Sequence, residues 1–163
     1  MAARLTRSPA LFCSSVSLQA EVQSLQHDGA VMLHTRSSKY GRLSGGQAVQ
    51  VPADLVKRQK LHFQHLEAAG VDIILGCNGL VWVAPHSDAP AGEVSEGGEQ
   101  PGREQREAVA RVAQAAAALA RLGCLVHGAS IAAVAALAAE QGVAVRDMQA
   151  APFLARIARM GEM

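Results

Sequence analysis

Two groups of residues in this chain have types and spacings that could do chemistry. The first is Gly76-Cys77-Asn78-Gly79, set between the apolar runs VDIIL (71–75) and LVWVA (80–84). Such a loop can cradle a phosphate on its backbone amides, or it can turn a hairpin. Phosphate-cradling loops run from a strand into a helix whose N-terminal amides face the anion. Here β-branched runs flank the loop on both sides, and it holds no lysine or arginine. The pattern predicts a hairpin turn with Asn78 and Gly79 in the left-handed conformation, the phosphate cradle being the alternative.

The second group is basic. Arg36, Lys39 and Arg42 recur at every third position on a glycine- and serine-rich connector, and Lys57, Arg58 and Lys60 cluster soon after Pro52. Asp54 is the only acid between residues 34 and 60. Flexible cations suit phosphate contacts, which give salt-dependent affinity. Tyr40 could stack on a base. The same cations could equally form a solvated face or meet an acidic protein partner.

Signs of catalysis are wanting. His62 and His65 are three apart, but no carboxylate or cysteine stands at a ligand spacing, so the pair reads as a polar helix face and no metal site is expected. Ser14 and Ser15 lack a glycine elbow. Glu21, Asp28, Asp54 and Asp72 fall at turns or element ends. The acids of residues 86–107 lie in a glycine- and proline-rich stretch, a poor place for preorganised catalysis. The expectation is a protein that is not an enzyme and needs no cofactor.

Those residues need a scaffold. The chain has 163 residues, enough for one domain or two small ones. Hydrophobic residues make up 50%, but alanine dominates the second half and aromatics are only 3%. An alanine buries little apolar area, so the first 85 residues should carry the better-packed core. Net charge is +1, which gives no global signal for nucleic acid or membrane. The asymmetry of a basic block followed by an acidic one suggests a polyanion-facing part and a solvated linker. Cys13, Cys77 and Cys124 fit neither a disulfide framework nor a zinc spacing; they suggest a reducing compartment, with Cys77 and Cys124 as buried thiols. No apolar run is long enough to cross a bilayer, and no membrane partner is expected. Residues 1–17 carry Arg4, Arg7 and serines without an acid, which suits either an organelle transit peptide or the arbitrary start of a truncated chain.

Residues 18–37 read as two strands about Asp28-Gly29, a dipeptide suited to a tight turn. Residues 47–51 form a short strand stopped by Pro52. Residues 52–66 then start like a helix, with Leu55, Gln59 and His62 sharing a face and the basic cluster upon it. The two runs about the glycine loop make a second hairpin. Residues 86–102 form a flexible acidic excursion. Helices are predicted over 103–122, over 129–142 with Ser130 as a cap, and over 145–160. The order is an α+β pattern.

Three segments, LHTRSSKYGRL, LVKRQKLHF and ILGCNGLVWV, resemble in order the ribosomal RNA-processing protein 4 family, RNA-binding cap subunits of the RNA exosome. The resemblance covers residues 20–84. It implies the last strands of an S1-type OB fold over 18–37 and a KH-like domain over 38–163 with the acidic insertion at 86–102. Residues 1–17 are unmatched. It implies that Gly76, Asn78 and Gly79 are a structural feature of the KH core rather than an RNA clamp. It also implies a non-catalytic subunit that guides RNA to 3′–5′ degradation and rRNA processing. Arg36, Lys39, Tyr40, Arg42, Lys57, Arg58 and Lys60 would then touch RNA or the ribonuclease-PH-like ring subunits, beside other cap subunits. Nucleus, nucleolus and cytoplasm are the compartments implied. The family's N-terminal domain and first barrel strands have no counterpart, so a truncated fragment that docks without binding RNA is the alternative.

Overall fold

The computed structural model describes residues 17–35, 41–43, 45–86 and 102–160. They fall into two units: 17–43, and 45–86 with 102–160.

The first unit holds two antiparallel pairs. Strand β1 (Ser17–Gln19) pairs with β4 (Gly41–Leu43), and β2 (Glu21–Leu25) pairs with β3 (Val31–His34). The sequence predicts only the hairpin; β4 lies in what reads as a connector, because three residues between serines and glycines carry no period of their own. The β2–β3 turn is local chemistry. Gly29 has φ +85°, its N–H donates to the Gln26 carbonyl at 3.0 Å, and the Ala30 N–H donates to Asp28 Oδ1 at 2.9 Å. Leu25, Val31 and Met32 on this hairpin are exposed.

The second unit is a four-stranded antiparallel sheet in the order β5-β8-β7-β6, covered on one face by helices. Its strands are β5 (Gln47–Gln50), β6 (Phe63–Leu66), β7 (Val71–Leu75) and β8 (Leu80–Pro85). Alternation along β7 and β8 puts Val71, Ile73, Leu75, Val81 and Val83 on the covered face, the period-2 pattern of a half-buried sheet. Helix α1 (Arg103–Arg121) lies against β5, β7 and β8, and α2 (Gly128–Glu140) packs on α1 and β6. Helix α3 (Ala151–Met160) adds Phe153 and Ile157 to the same core.

That core corrects the expectation of a better-packed first half. Ala113, Ala115, Ala116 and Ala118 of α1 are at most 1% exposed, and they join the sheet's valines in one cluster with Ile131, Met148 and Phe153. Small side chains let the helix axis approach its neighbours closely, so backbone and Cβ atoms supply contacts that larger side chains supply elsewhere. The sheet comes from the first half and its cover from the second; neither has a core of its own. Cys77 and Cys124 are half-buried rather than buried.

Three helical predictions are adjusted. The start of α2 is capped by His127, not by Ser130. Ser130 stands at the third helical position, where its N–H donates to His127 Nδ1 at 3.2 Å and its Oγ accepts from the His127 N–H at 3.1 Å, the reciprocal geometry of a capping box. Residues 145–147 form a separate 3-10 turn before α3. The larger difference is at 52–66. Only residues 53–55 are helical, as one 3-10 turn, and β6 occupies 63–66.

Candidate nucleic-acid interface

Lys57, Arg58 and Lys60 therefore lie on an irregular connection that bends at Lys60, not on a helix. Non-local hydrogen bonds decide this. Val56 forms a parallel bridge with Val126, the Val126 N–H donates to the Leu55 carbonyl at 2.8 Å, and the Lys57 N–H donates to the Val126 carbonyl at 3.2 Å. Val56 and Val126 are buried, at 6% and 0% exposure. This anchor holds the start of the basic segment against the α1–α2 connection. At its far end the Leu75 N–H donates to the His62 carbonyl at 2.9 Å, joining the segment to the end of β7. Gln64 donates through Nε2 to Gln59 Oε1 and to the Leu61 carbonyl, which spans the bend between. The three cations are exposed, and no described carboxylate forms an ion pair with them.

Arg42 lies in β4, opposite Leu18. Arg36, Lys39 and Tyr40 lie outside the described residues, as do most of residues 1–17 and of the acidic stretch 86–102. The structure thus brings Lys57, Arg58 and Lys60 together on one short run.

Gly76, Cys77, Asn78 and Gly79 form the turn between β7 and β8. The Gly79 N–H donates to the Gly76 carbonyl at 3.0 Å, and the Gly76 N–H donates to the Leu80 carbonyl at 2.9 Å. The Leu80 N–H donates to Asn78 Oδ1 at 3.2 Å, and Gly79 has φ +82°. These are the bonds of the Gln26–Ala30 turn over again, with Asn78 in the place of Asp28. In such a three-residue loop the glycine at the end carries the positive φ. The backbone amides of Gly76, Gly79 and Leu80 are spent inside the turn. Gly79 has a second constraint: a Cβ there would overlap the Val51 carbonyl oxygen and lie 3.2 Å from the Ala53 nitrogen. Its carbonyl accepts from the Val51 N–H at 2.8 Å, locking the turn to the end of β5.

The fold also assembles a cluster that the spacing of residues did not reveal. His65 of β6 faces Asp72 of β7 directly in register. His86, just after β8, lies diagonally across the same strand. His65 Nδ1 is 2.7 Å from Asp72 Oδ1, and His86 Nδ1 is 2.9 Å from Asp72 Oδ2. The two rings have centroids 4.1 Å apart, tilted by 47°. His65 and Asp72 are seven residues apart and His86 a further fourteen, so only strand pairing relates them.

The architecture and its comparisons agree on a class. Residues 46–89, which contain all four strands of the second sheet, match the family model of the KH domain. The chain is further 35% identical over 149 residues to the exosome complex component RRP4 homolog of Arabidopsis thaliana, a match covering 82% of this chain and 46% of that protein. It is 54% identical over 66 residues to the exosome complex component RRP4 homolog of Caenorhabditis elegans, covering 40% of this chain and 22% of that one. With exosome complex component RRP4 of Bos taurus the identity is 43% over 117 residues, 70% of this chain and 40% of that one. The resemblance to the ribosomal RNA-processing protein 4 family is thereby shown across several species. The chain spans less than half the length of these curated relatives.

Proposed function

We propose that this chain is the KH-containing part of a non-catalytic RNA-binding cap subunit of the exosome, which guides RNA towards 3′–5′ degradation and rRNA processing. One observation carries the reading: three exposed cations, with no ion-pair partner among the described residues, on one short non-helical run of a chain that matches the KH domain and whose relatives are named exosome components. Exposed cations on an irregular run, free of a helix's fixed spacing, can reach successive phosphates of one strand. Each exposed ion pair is worth only about 1 kcal/mol at 4 Å in water. Several such contacts hold a strand loosely enough for it to slide. The partners of this reading are RNA, the ribonuclease-PH-like ring subunits and the other cap subunits, in the nucleus, nucleolus and cytoplasm. The Gly76–Gly79 turn serves the packing of the sheet in this reading, since its amides are used internally.

A second reading has its own observation. Leu61 is 70% exposed beside Lys60, and Leu125 is 56% exposed beside Val126, the residue that anchors Val56. Apolar side chains among cations also suit docking onto a protein surface. In this reading the chain is a scaffold fragment that docks on the ring without RNA. The deciding experiment is affinity purification of the tagged chain from its own cells, followed by mass spectrometry and by RNA binding of the purified chain across a salt series. Ring subunits with salt-dependent RNA binding support the cap reading. Ring subunits without RNA affinity support the scaffold. Neither partner in hand removes both. A fluorescent fusion confined to mitochondria or plastids would overturn the compartments proposed.

A further inference from the structure

We propose that His65, Asp72 and His86 bind one divalent transition-metal ion of the zinc class, clipping β6, β7 and the end of β8 together. The inference is independent of the RNA reading.

Two of the residues lie on the paired strands β6 and β7 and the third directly follows β8, so the carboxylate sits on the middle strand of the three. One ligand atom from each can be chosen so that all three lie within 4.8 Å of one another. Two imidazoles and a carboxylate are a donor set for zinc or copper; calcium and magnesium take oxygen ligands throughout. In a tetrahedral zinc site with metal–nitrogen distances of about 2.0–2.1 Å the donors stand about 3.3 Å apart. Here the nitrogens stand 2.7 and 2.9 Å from the carboxylate oxygens. Opening those two pairs by about half an ångström, and bringing the two nitrogens, which lie within 4.8 Å of each other, to the same spacing makes room for an ion of that size.

Backbone and exposure both suit the role. The His65–Asp72 register is fixed by the antiparallel β6–β7 ladder, and the His86 N–H donates to the Gly70 carbonyl at 3.1 Å. Ligands on paired strands are held more closely than ligands on loops. The side chains of His65, Asp72 and His86 are 37%, 36% and 44% exposed, so an ion can enter from solvent and keep a fourth position for water. The competing arrangement is a hydrogen-bonded trio in which Asp72 accepts from both imidazoles. A metal has to displace those two protons, and the trio already gathers the donors that a metal requires.

The test uses the full chain, stripped of metal and titrated with Zn2+ by calorimetry, with Co2+ absorption as a spectroscopic readout. Expected are one Zn2+ per chain and the visible bands of tetrahedral Co2+. His86→Ala, His65→Ala and Asp72→Asn should each weaken binding by at least about the 10- to 100-fold that loss of an outer-shell partner brings. His62→Ala should leave it unchanged, because His62 Nδ1 lies 3.1 Å from the Leu75 carbonyl and outside the cluster. Far-UV circular dichroism checks each fold. If a variant does not fold, the wild-type titration still decides. Absence of one-to-one binding overturns the proposal, and so does binding that survives both histidine variants, which would place the ion elsewhere.

Discussion

Gly79→Ala should destabilise the second unit far more than Gly70→Ala, although both glycines have positive φ, +82° and +59°. An alanine in the left-handed region costs about 1–2 kcal/mol at either position. At Gly70 that is the whole cost, since nothing lies within 4 Å of the added Cβ. At Gly79 the Cβ overlaps the Val51 carbonyl oxygen, so β5 and the turn must part. Parting them breaks the 2.8 Å bond from the Val51 N–H to the Gly79 carbonyl. Val51 is 4% exposed, and a buried donor left unsatisfied costs a further 1–3 kcal/mol or so. Gly79→Ala should therefore lose about 2–5 kcal/mol against about 1–2 for Gly70→Ala, a gap centred on about 2 kcal/mol. In a domain of this size the gap of about 2 kcal/mol is a difference in Tm of roughly 8–16 °C. Thermal and chemical denaturation of the two variants measure it. RNA affinity per folded molecule should not change. Equal losses would refute the close approach of Gly79 to Val51. Lost affinity at unchanged Tm would refute the structural role of the turn and revive the phosphate cradle.

Reversing Lys57, Arg58 and Lys60 to glutamate should weaken RNA binding and flatten the plot of log K against log salt by about 2, since each phosphate contact to a single strand contributes about 0.7. An unchanged slope together with intact ring assembly would remove this segment from both functional readings. Ile157→Ala should cost about 2–4 kcal/mol in denaturant unfolding, because Ile157 is 3% exposed in the shared core; a loss below about 0.5 kcal/mol, the range of an ordinary surface substitution, would mean that α3 is not docked. Ser130→Ala should cost about 1 kcal/mol by removing one half of the α2 capping box, and a neutral result would show that His127 caps the helix unaided.

The resemblance to exosome cap subunits was legible in three segments of sequence, and the basic cluster among them was visible as composition. Its shape was not. Residues 52–66 carry a proline start and helix-forming lysine, arginine and glutamine, so local propensity favours a helix. Past the 3-10 turn at 53–55 the chain is not helical, because Val56 bridges to Val126 across seventy residues and Phe63–Leu66 completes the edge of a sheet. Propensity is a weak prior against such pairing. The His65–Asp72–His86 cluster was invisible for a related reason. A ligand search along the sequence looks for helical or loop spacings, whereas these three are neighbours only through strand register.

What the sequence determined by itself is what local chemistry determines. Asp28-Gly29 and Asn78-Gly79 turn their chains because an Asx side chain accepts the next-but-one amide and glycine tolerates positive φ. Both of the longer helices follow from runs of alanine, joined in α1 by glutamine, glutamate and arginine, whose helical preference needs no partner. Tertiary structure decided the rest. It made one core of alanine-rich helices and a valine-rich sheet that neither half could close alone, since a single face of either buries apolar area only against the other. It also decided where the cations and the histidines stand, because both depend on hydrogen bonds between strands and connections far apart in the chain.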